Sequence, residues 1–477
     1  MKARQVLVFL CSVFAILGAV WLLFPSEGIA AGPLQLRFSS YQRALSEAKE
    51  HKVNVDSVLT AVESRFAMKR DTLSFYREFF TSNPDRIYLP GDDYTFFDPV
   101  FEAFETQADT AIVRVAHYGD SQIEMDRISG ELREGLQKRF GGGGTGMFPV
   151  KGNVPSASIS RSATENFTQY TMYGDSTTLR APHNRYGVMA QVVQLSGGGT
   201  VTLRAAKGKS VKEGVKQFSS ISVLYGRASK GFSVRVVSDS LRPVPVQAVS
   251  ESGVGMLTWQ FSRPVQKASL YFRGSAEIYG ISADASVGVA VDNIPLRGCS
   301  GTIFTRISPS LLKESFALDN TRLIILQFGG NYMPVARNSQ VIASYSEQIQ
   351  KQIAFFHEAA PQAKILFIGP SDMGKSVRGR VVTWPRLPEM VDSLKAVALR
   401  NDAAYWDLYR MMGGENSMVQ WVRHSPALAG PDYIHFTPAG AQKVGETLTR
   451  SLLIYHDFYS LRKEISPEKV KKAFSKE

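Results

Sequence analysis

Cysteine is almost absent from this chain: 477 residues contain two, Cys11 and Cys299. Cys11 lies in an apolar run, so Cys299 stands alone in the remainder. That excludes a disulfide framework and a cysteine metal site. Histidine is also sparse, at seven residues, and no His/Asp/Glu grouping has metal-ligand spacing. No Gly-Lys-Ser/Thr follows the glycine run 141–144. The run 141–144 closes a helical pattern instead of opening one, which argues against a phosphate loop. The sequence therefore predicts neither cofactor nor metal. Charge of one sign is not concentrated either. The formal +12 is scattered apart from a basic tail over 461–477, so a solvated surface is expected, without a nucleic-acid site. An anionic partner such as a membrane or envelope polymer stays open.

What is present begins with Lys2 and Arg4, followed by 19 nearly unbroken apolar residues from Val6 to Phe24. Such a run is long enough to span a bilayer. Residues 1–31 thus read as a signal anchor, with a cleaved signal peptide as the alternative given the small residues Ala30 and Ala31. Either form predicts an exported body, periplasmic or on the cell surface, with the membrane as a partner. Residues 34–105 read as a helical stem, because Tyr41, Leu45 and Ala48, then Val58, Val62 and Phe66, recur at helical spacing.

An apolar strand then ends abruptly in Tyr118-Gly119-Asp120-Ser121-Gln122. Ile128, Leu132, Leu136 and Phe140 follow at every fourth position, the stripe of an amphipathic helix. From 154 to 284 the texture changes to short alternating runs, among them 191–195, 200–205, 221–226, 256–261 and 267–273. Such runs predict an antiparallel sandwich or jelly roll. Buried-strand patterns resume at 287–294, 323–328, 364–368 and 403–408, with helical segments at 342–357 and 387–398 between them. Strands alternating with helices imply a parallel three-layer sheet, α/β in class. The β stretch is therefore an insertion that splits the α/β domain into 106–153 and 285–460.

Chemistry is concentrated in four blocks. Ser121 sits at a strand exit, where backbone N–H groups can meet an oxyanion. Arg297-Gly298-Cys299 and Gly329-Gly330-Asn331 each follow a strand. Asp432-Tyr433-Ile434-His435 precedes a helix capped by Thr437. A serine hydroxyl needs a base, and His435 is the histidine with a carboxylate just upstream to orient it. Ser176, in a second Gly-Asp-Ser, lacks the strand and the helix, and reads as a turn. Cys299 is a weaker nucleophile candidate because no histidine lies near it in sequence.

In this order the four blocks resemble the SGNH (GDSL-like) hydrolase superfamily, over about 112–151 and 287–453. The resemblance implies a Ser121–His435–Asp432 triad and an oxyanion hole formed by the backbone N–H of Ser121, the backbone N–H of Gly298 and the Asn331 amide. Tyr332 and Gln122 depart from the family pattern, where Asp, and Leu or His, are frequent. An inserted β domain is similar to that of bacterial peptidoglycan O-acetylesterases and their acetyltransferase cousins. The expectation is thus a serine esterase removing O-acetyl groups from an envelope glycan. The alternatives are an O-acetyltransferase using the same triad and a non-catalytic glycan-binding protein.

Overall fold

The computed structural model describes residues 3–25, 29–31, 34–36, 41, 72–152, 154–175, 177–209, 211–238 and 253–474. Two units divide the chain, residues 1–57 and 58–477. In the first, Ala3–Leu23 is helical and Ile29–Ala31 pairs antiparallel with Leu34–Leu36. The expected membrane anchor needs correction. Among the described residues no helix is long and apolar enough to cross a membrane. The exported, membrane-attached location drawn from that run loses its support.

The second unit is built on a six-stranded sheet. Its order is Gly288–Pro295, Ile112–Gly119, Thr321–Gln327, Lys364–Ile368, Ala404–Trp406 and Ile87–Tyr88. The first five are parallel, and the two-residue strand at the edge is antiparallel, Tyr405 facing Tyr88. Side chains alternate between the two faces. Ala116 and Tyr118 join the core formed with Ile349, Ile353 and Leu394 of the helices Ser339–Ala359 and Leu387–Arg400. His117, between them, bonds Ser129 at the start of helix Ser129–Phe140. That helix packs against Pro438–Glu464, which opens with Thr437 accepting from the Gly440 N–H. In chain order the parallel strands run second, first, third, fourth, fifth. The direction of winding reverses beside the first strand, and open α/β sheets bind ligands at such a point.

Between the first and second of these strands the chain builds two antiparallel sheets. One contains Val254–Val265, Phe218–Gly226, Ala276–Asp284, Gln191–Leu195 and Phe167–Thr171, with Gly144–Phe148 also paired to Ala276–Asp284. The other contains Ser233–Val237, Lys267–Arg273, Gly198–Ala205 and Ile159–Ala163. They share one apolar core that includes Val223, Trp259, Leu203 and Leu270. The antiparallel pairing begins at Gly144, ten residues earlier than the sequence pattern placed it. Exit and return touch: the Val289 N–H donates to the Gly141 carbonyl at 3.0 Å. Buried Arg114 ties the two parts together, donating to Asp284 at 2.9 Å and to Asp292 at 2.7 Å. Burial opposes its charge, but the two carboxylates outweigh that and hold the guanidinium firmly protonated.

Within 34–105, residues 37–40 and 42–71 lie outside the described residues. The helix Leu73–Ser82 packs on the body, Phe80 stacking on Tyr455 at 4.5 Å. Within the basic tail 461–477, of which 475–477 lie outside the described residues, Pro467–Phe474 is helical, with Phe474 against Phe80 and Phe458.

Candidate active site

Strand Ile112–Gly119 is buried along nearly its whole length and delivers Ser121 to the winding reversal. Ser121 does not open the long helix. It begins a 3-10 turn over Ser121–Asp126, whose first free N–H groups are met by the Asp120 carboxylate accepting from Gln122 at 2.9 Å. Met125 and Asp126 have φ of 57° and 60°, which ends the turn, and helix Ser129–Phe140 starts after it. Asp126 is held there by Arg133 at 2.9 Å and Ser156 at 2.9 Å.

Ser121 Oγ and His435 Nε2 are 2.8 Å apart, and His435 Nδ1 and Asp432 Oδ2 are 2.7 Å apart. Asp432 Oδ1 accepts from the backbone N–H of Ile434 and of His435, at 3.0 and 3.1 Å. With Oδ1 so occupied, Oδ2 faces the ring. The tautomer that donates from Nδ1 leaves Nε2 to accept the serine proton. Burial pushes the Asp432 carboxyl up, but the hydrogen bonds from His435 and Ile434 outweigh it and hold it below the ordinary carboxylate value. A charged Asp432 beside the ring is what an imidazolium requires.

Asn331 follows strand Thr321–Gln327, the neighbour of the serine strand. Its amide donates to Asp120 Oδ2 at 2.9 Å and to the Cys299 carbonyl at 3.3 Å. Burial raises the Asp120 carboxyl to about 6 against the hydrogen bond from Gln122. Ser121, Asn331 and His435 line one cavity of about 190 Å³, together with Met373, Pro334 and Trp384. Gly298 lies next to it, in a larger cleft of about 880 Å³. Its φ of +73° forms a turn closed by the Cys299 N–H donating to Leu296 at 2.9 Å, and open space lies above its Cα. Arg297 binds Glu124 with 2.5 and 2.6 Å contacts, which fastens the Gly298 turn to the serine turn.

The structure thus gathers Ser121, His435, Asp432 and Asn331, with Gly298 at the adjoining cleft. Cys299 is buried, its thiol pushed up to about 11 by burial, which disfavours a thiolate. Ser176 lies outside the described residues. Among the described residues no group of three or more His, Cys, Asp or Glu could hold a metal.

Three neighbours of the site were not evident from the sequence. Gln122 holds the backbone around His435. Arg127 donates to the Ser121 carbonyl at 2.6 Å and to the Phe436 carbonyl at 3.1 Å. Trp384 enters the cavity from the end of a hairpin, Gly374–Val377 with Arg380–Thr383. Gln122 could have been suspected as the departure beside the serine; Arg127 and Trp384 carried no signal.

Residues 273–443 match the model of the GDSL-like Lipase/Acylhydrolase family. That span holds Gly298, Asn331, Asp432 and His435, while Ser121 lies upstream of it, across the two antiparallel sheets. No curated protein matches the chain. A solved peptidoglycan O-acetylesterase superposes with a TM-score of 0.62 at 20% identity, covering 78% of this chain and 99% of its own. A family two carbohydrate esterase from Clostridium thermocellum, in complex with cellohexaose, gives 0.24 at 10% identity, over 60% of this chain and 98% of its own. An acetylxylan esterase from Geobacillus stearothermophilus gives 0.27 at 13%, over 35% and 73%. Of these three, the first superposes well enough to show a shared fold.

Proposed function

We propose that this chain is an SGNH hydrolase of the carbohydrate-esterase kind, which removes O-acetyl groups from a glycan through an acyl-enzyme on Ser121. The GDSL-like family match over residues 273–443 and the fold shared with a peptidoglycan O-acetylesterase support the reading. The observation that carries this reading is the relay Ser121–His435–Asp432, with steps of 2.8 and 2.7 Å. Ser121 Oγ attacks the acetyl carbonyl carbon as its proton passes to His435 Nε2. The oxyanion meets the backbone N–H groups of Ser121 and Gly298 and the Asn331 amide, which turns from Asp120 or Cys299 to do so. The carbon–oxygen bond to the sugar then breaks, His435 returns the proton to the sugar oxygen, and the free hydroxyl leaves. Water attacks the acetyl-serine and gives a proton to His435. Acetate departs and Ser121 regains its proton.

In the same reading, the two antiparallel sheets form one β-sandwich inserted into the hydrolase domain, holding the glycan beside the site. The peptidoglycan O-acetylesterase of shared fold supports a glycan ester as substrate class. The experiment is labelling with a fluorophosphonate followed by peptide mapping. The label is expected on the Ser121 peptide; a label on Ser176, or none on active protein, removes the reading. Incubation with an acetyl donor and free oligosaccharide then separates hydrolysis from transfer. Acetylated sugar formed faster than acetate makes the same relay a transferase.

A further inference from the structure

Ser121 lines the smaller of two adjoining cavities of unequal size and unlike lining. We infer that the substrate is oriented by them, its sugar chain lying in the cleft on the Gly298 side and its acyl group turned into the cavity beneath Trp384. The inference rests on the esterase reading and adds where the polymer goes.

The two spaces share a wall. The Cys299 carbonyl accepts from Asn331, which lines the smaller cavity, while Cys299, Gly298 and Ser300 line the larger. The smaller space, about 190 Å³, ends against Phe328, Pro334, Met373 and Trp384. Apolar side chains suit a short acyl tail, and the volume leaves no room for a polymer. The larger space, about 880 Å³, lies between the Gly298 turn and a wall drawn from the inserted sheets.

That wall carries one carboxylate, Asp175, which accepts from Thr177 and would repel an anionic polymer, and its other polar groups are mostly uncharged. Ser300 and Thr302 offer hydroxyls, and Gln169, which donates to Gln191, offers the rest of its amide; such groups both donate and accept as sugar hydroxyls do. Leu179 is 55% exposed and gives an apolar surface for a sugar ring. The two arginines in the lining are already engaged. Arg180 donates to the carbonyls of Thr171, Tyr173 and Gly174 at 2.7, 2.7 and 3.1 Å, and Arg297 is bound to Glu124. A cleft whose cations are spent on its own backbone and on a carboxylate favours an uncharged run of sugars over a polyphosphate.

The test uses the full chain and 6-O-acetylated chito-oligosaccharides of increasing length, with an aryl acetate as reference. For the unaltered protein, kcat/KM should rise about tenfold or more with chain length and then level off, because binding energy remote from the ester is realised in the transition state. Gln169→Trp and Leu179→Trp fill the cleft from the inserted side, Thr302→Trp from the other. Each should flatten the rise, lowering the ratio of long-chain to aryl-acetate kcat/KM at least about tenfold. A kcat/KM indifferent to chain length in the unaltered protein overturns the inference, as does a rise that survives all three variants. Ser121→Ala separates the two layers of argument. If it keeps hydrolysing aryl acetate, the esterase reading fails; if it is inactive while the chain-length rise is missing, only the placement fails.

Discussion

The side chain of Gln122 spans the backbone on both sides of His435. Its Nε2 donates to the Ile434 carbonyl at 2.7 Å, and its Oε1 accepts from the Phe436 N–H at 3.3 Å. The residue next to the proposed nucleophile thus fixes the loop that carries the proposed base. Gln122→Leu keeps the volume and removes both bonds. It should lower kcat by about 10- to 100-fold with little change in KM, since small misplacements of reacting groups are costly. Steady-state kinetics on an aryl acetate decide it; an unchanged kcat would show that the loop holds itself.

Ser121→Ala should abolish aryl acetate hydrolysis, a loss of at least ~10³. Ser176→Ala should leave it nearly intact. Activity that survives the first change, or vanishes with the second, reverses the assignment.

Asn331→Ala removes an oxyanion donor and should cost about 10²–10³ in kcat. It also strips a hydrogen bond from Asp120, whose buried carboxyl already sits near 6. The acidic limb of the pH–rate profile should therefore move upward in the variant. A profile of unchanged shape and height would deny Asn331 both roles.

Arg114 is predicted to matter for stability rather than chemistry. Arg114→Met leaves Asp284 and Asp292 buried without their cation, a change worth about 3–5 kcal/mol. Urea unfolding measures it, and a loss under about 1 kcal/mol would mean that the carboxyls protonate at little expense.

His117 supplies a pH signature. Burial lowers its pKa to about 4, against the hydrogen bond to Gln327. Between the unfolded value near 6.5 and about 4, the unfolded chain binds the extra proton, so acidification weakens the fold by on the order of 3 kcal/mol through this group. Asp120 and Asp319, raised by burial to about 6 and about 7, act in the opposite sense. The informative quantity is thus the difference in melting temperature between the unaltered protein and His117→Asn from pH 7 to 4. Parallel curves would contradict a neutral buried imidazole.

The parallel strands and the helix after Thr437 were readable because each carries a long apolar pattern of one period. The serine, histidine and aspartate were readable because they stand at strand and helix ends, where side chains converge from distant sequence. Ile87–Tyr88 was not: two residues carry no alternation, and the strand exists only through pairing with Tyr405 and Trp406. The delayed helix after Ser121 was equally hidden, since it depends on left-handed backbone at Met125 and Asp126, held by contacts from Arg133 and Ser156. Gln122 and Arg127 act on backbone groups some three hundred positions away, and a distance of that kind leaves no local period.

The contact between Gly141 and Val289 bears on how such a chain could arise. An excursion over residues 142–288 begins and ends at hydrogen-bonded neighbours, so joining its two ends directly would move neither parallel strand. The entropy of closing a loop grows only slowly with its length, and a large excursion therefore burdens the host sheet hardly more than a short turn. The two antiparallel sheets form a cassette in the literal sense. An exchange, enlargement or loss at that one junction would leave Ser121 in its seat on the adjoining strand, so whatever the two sheets contribute can vary apart from the strand that carries the serine.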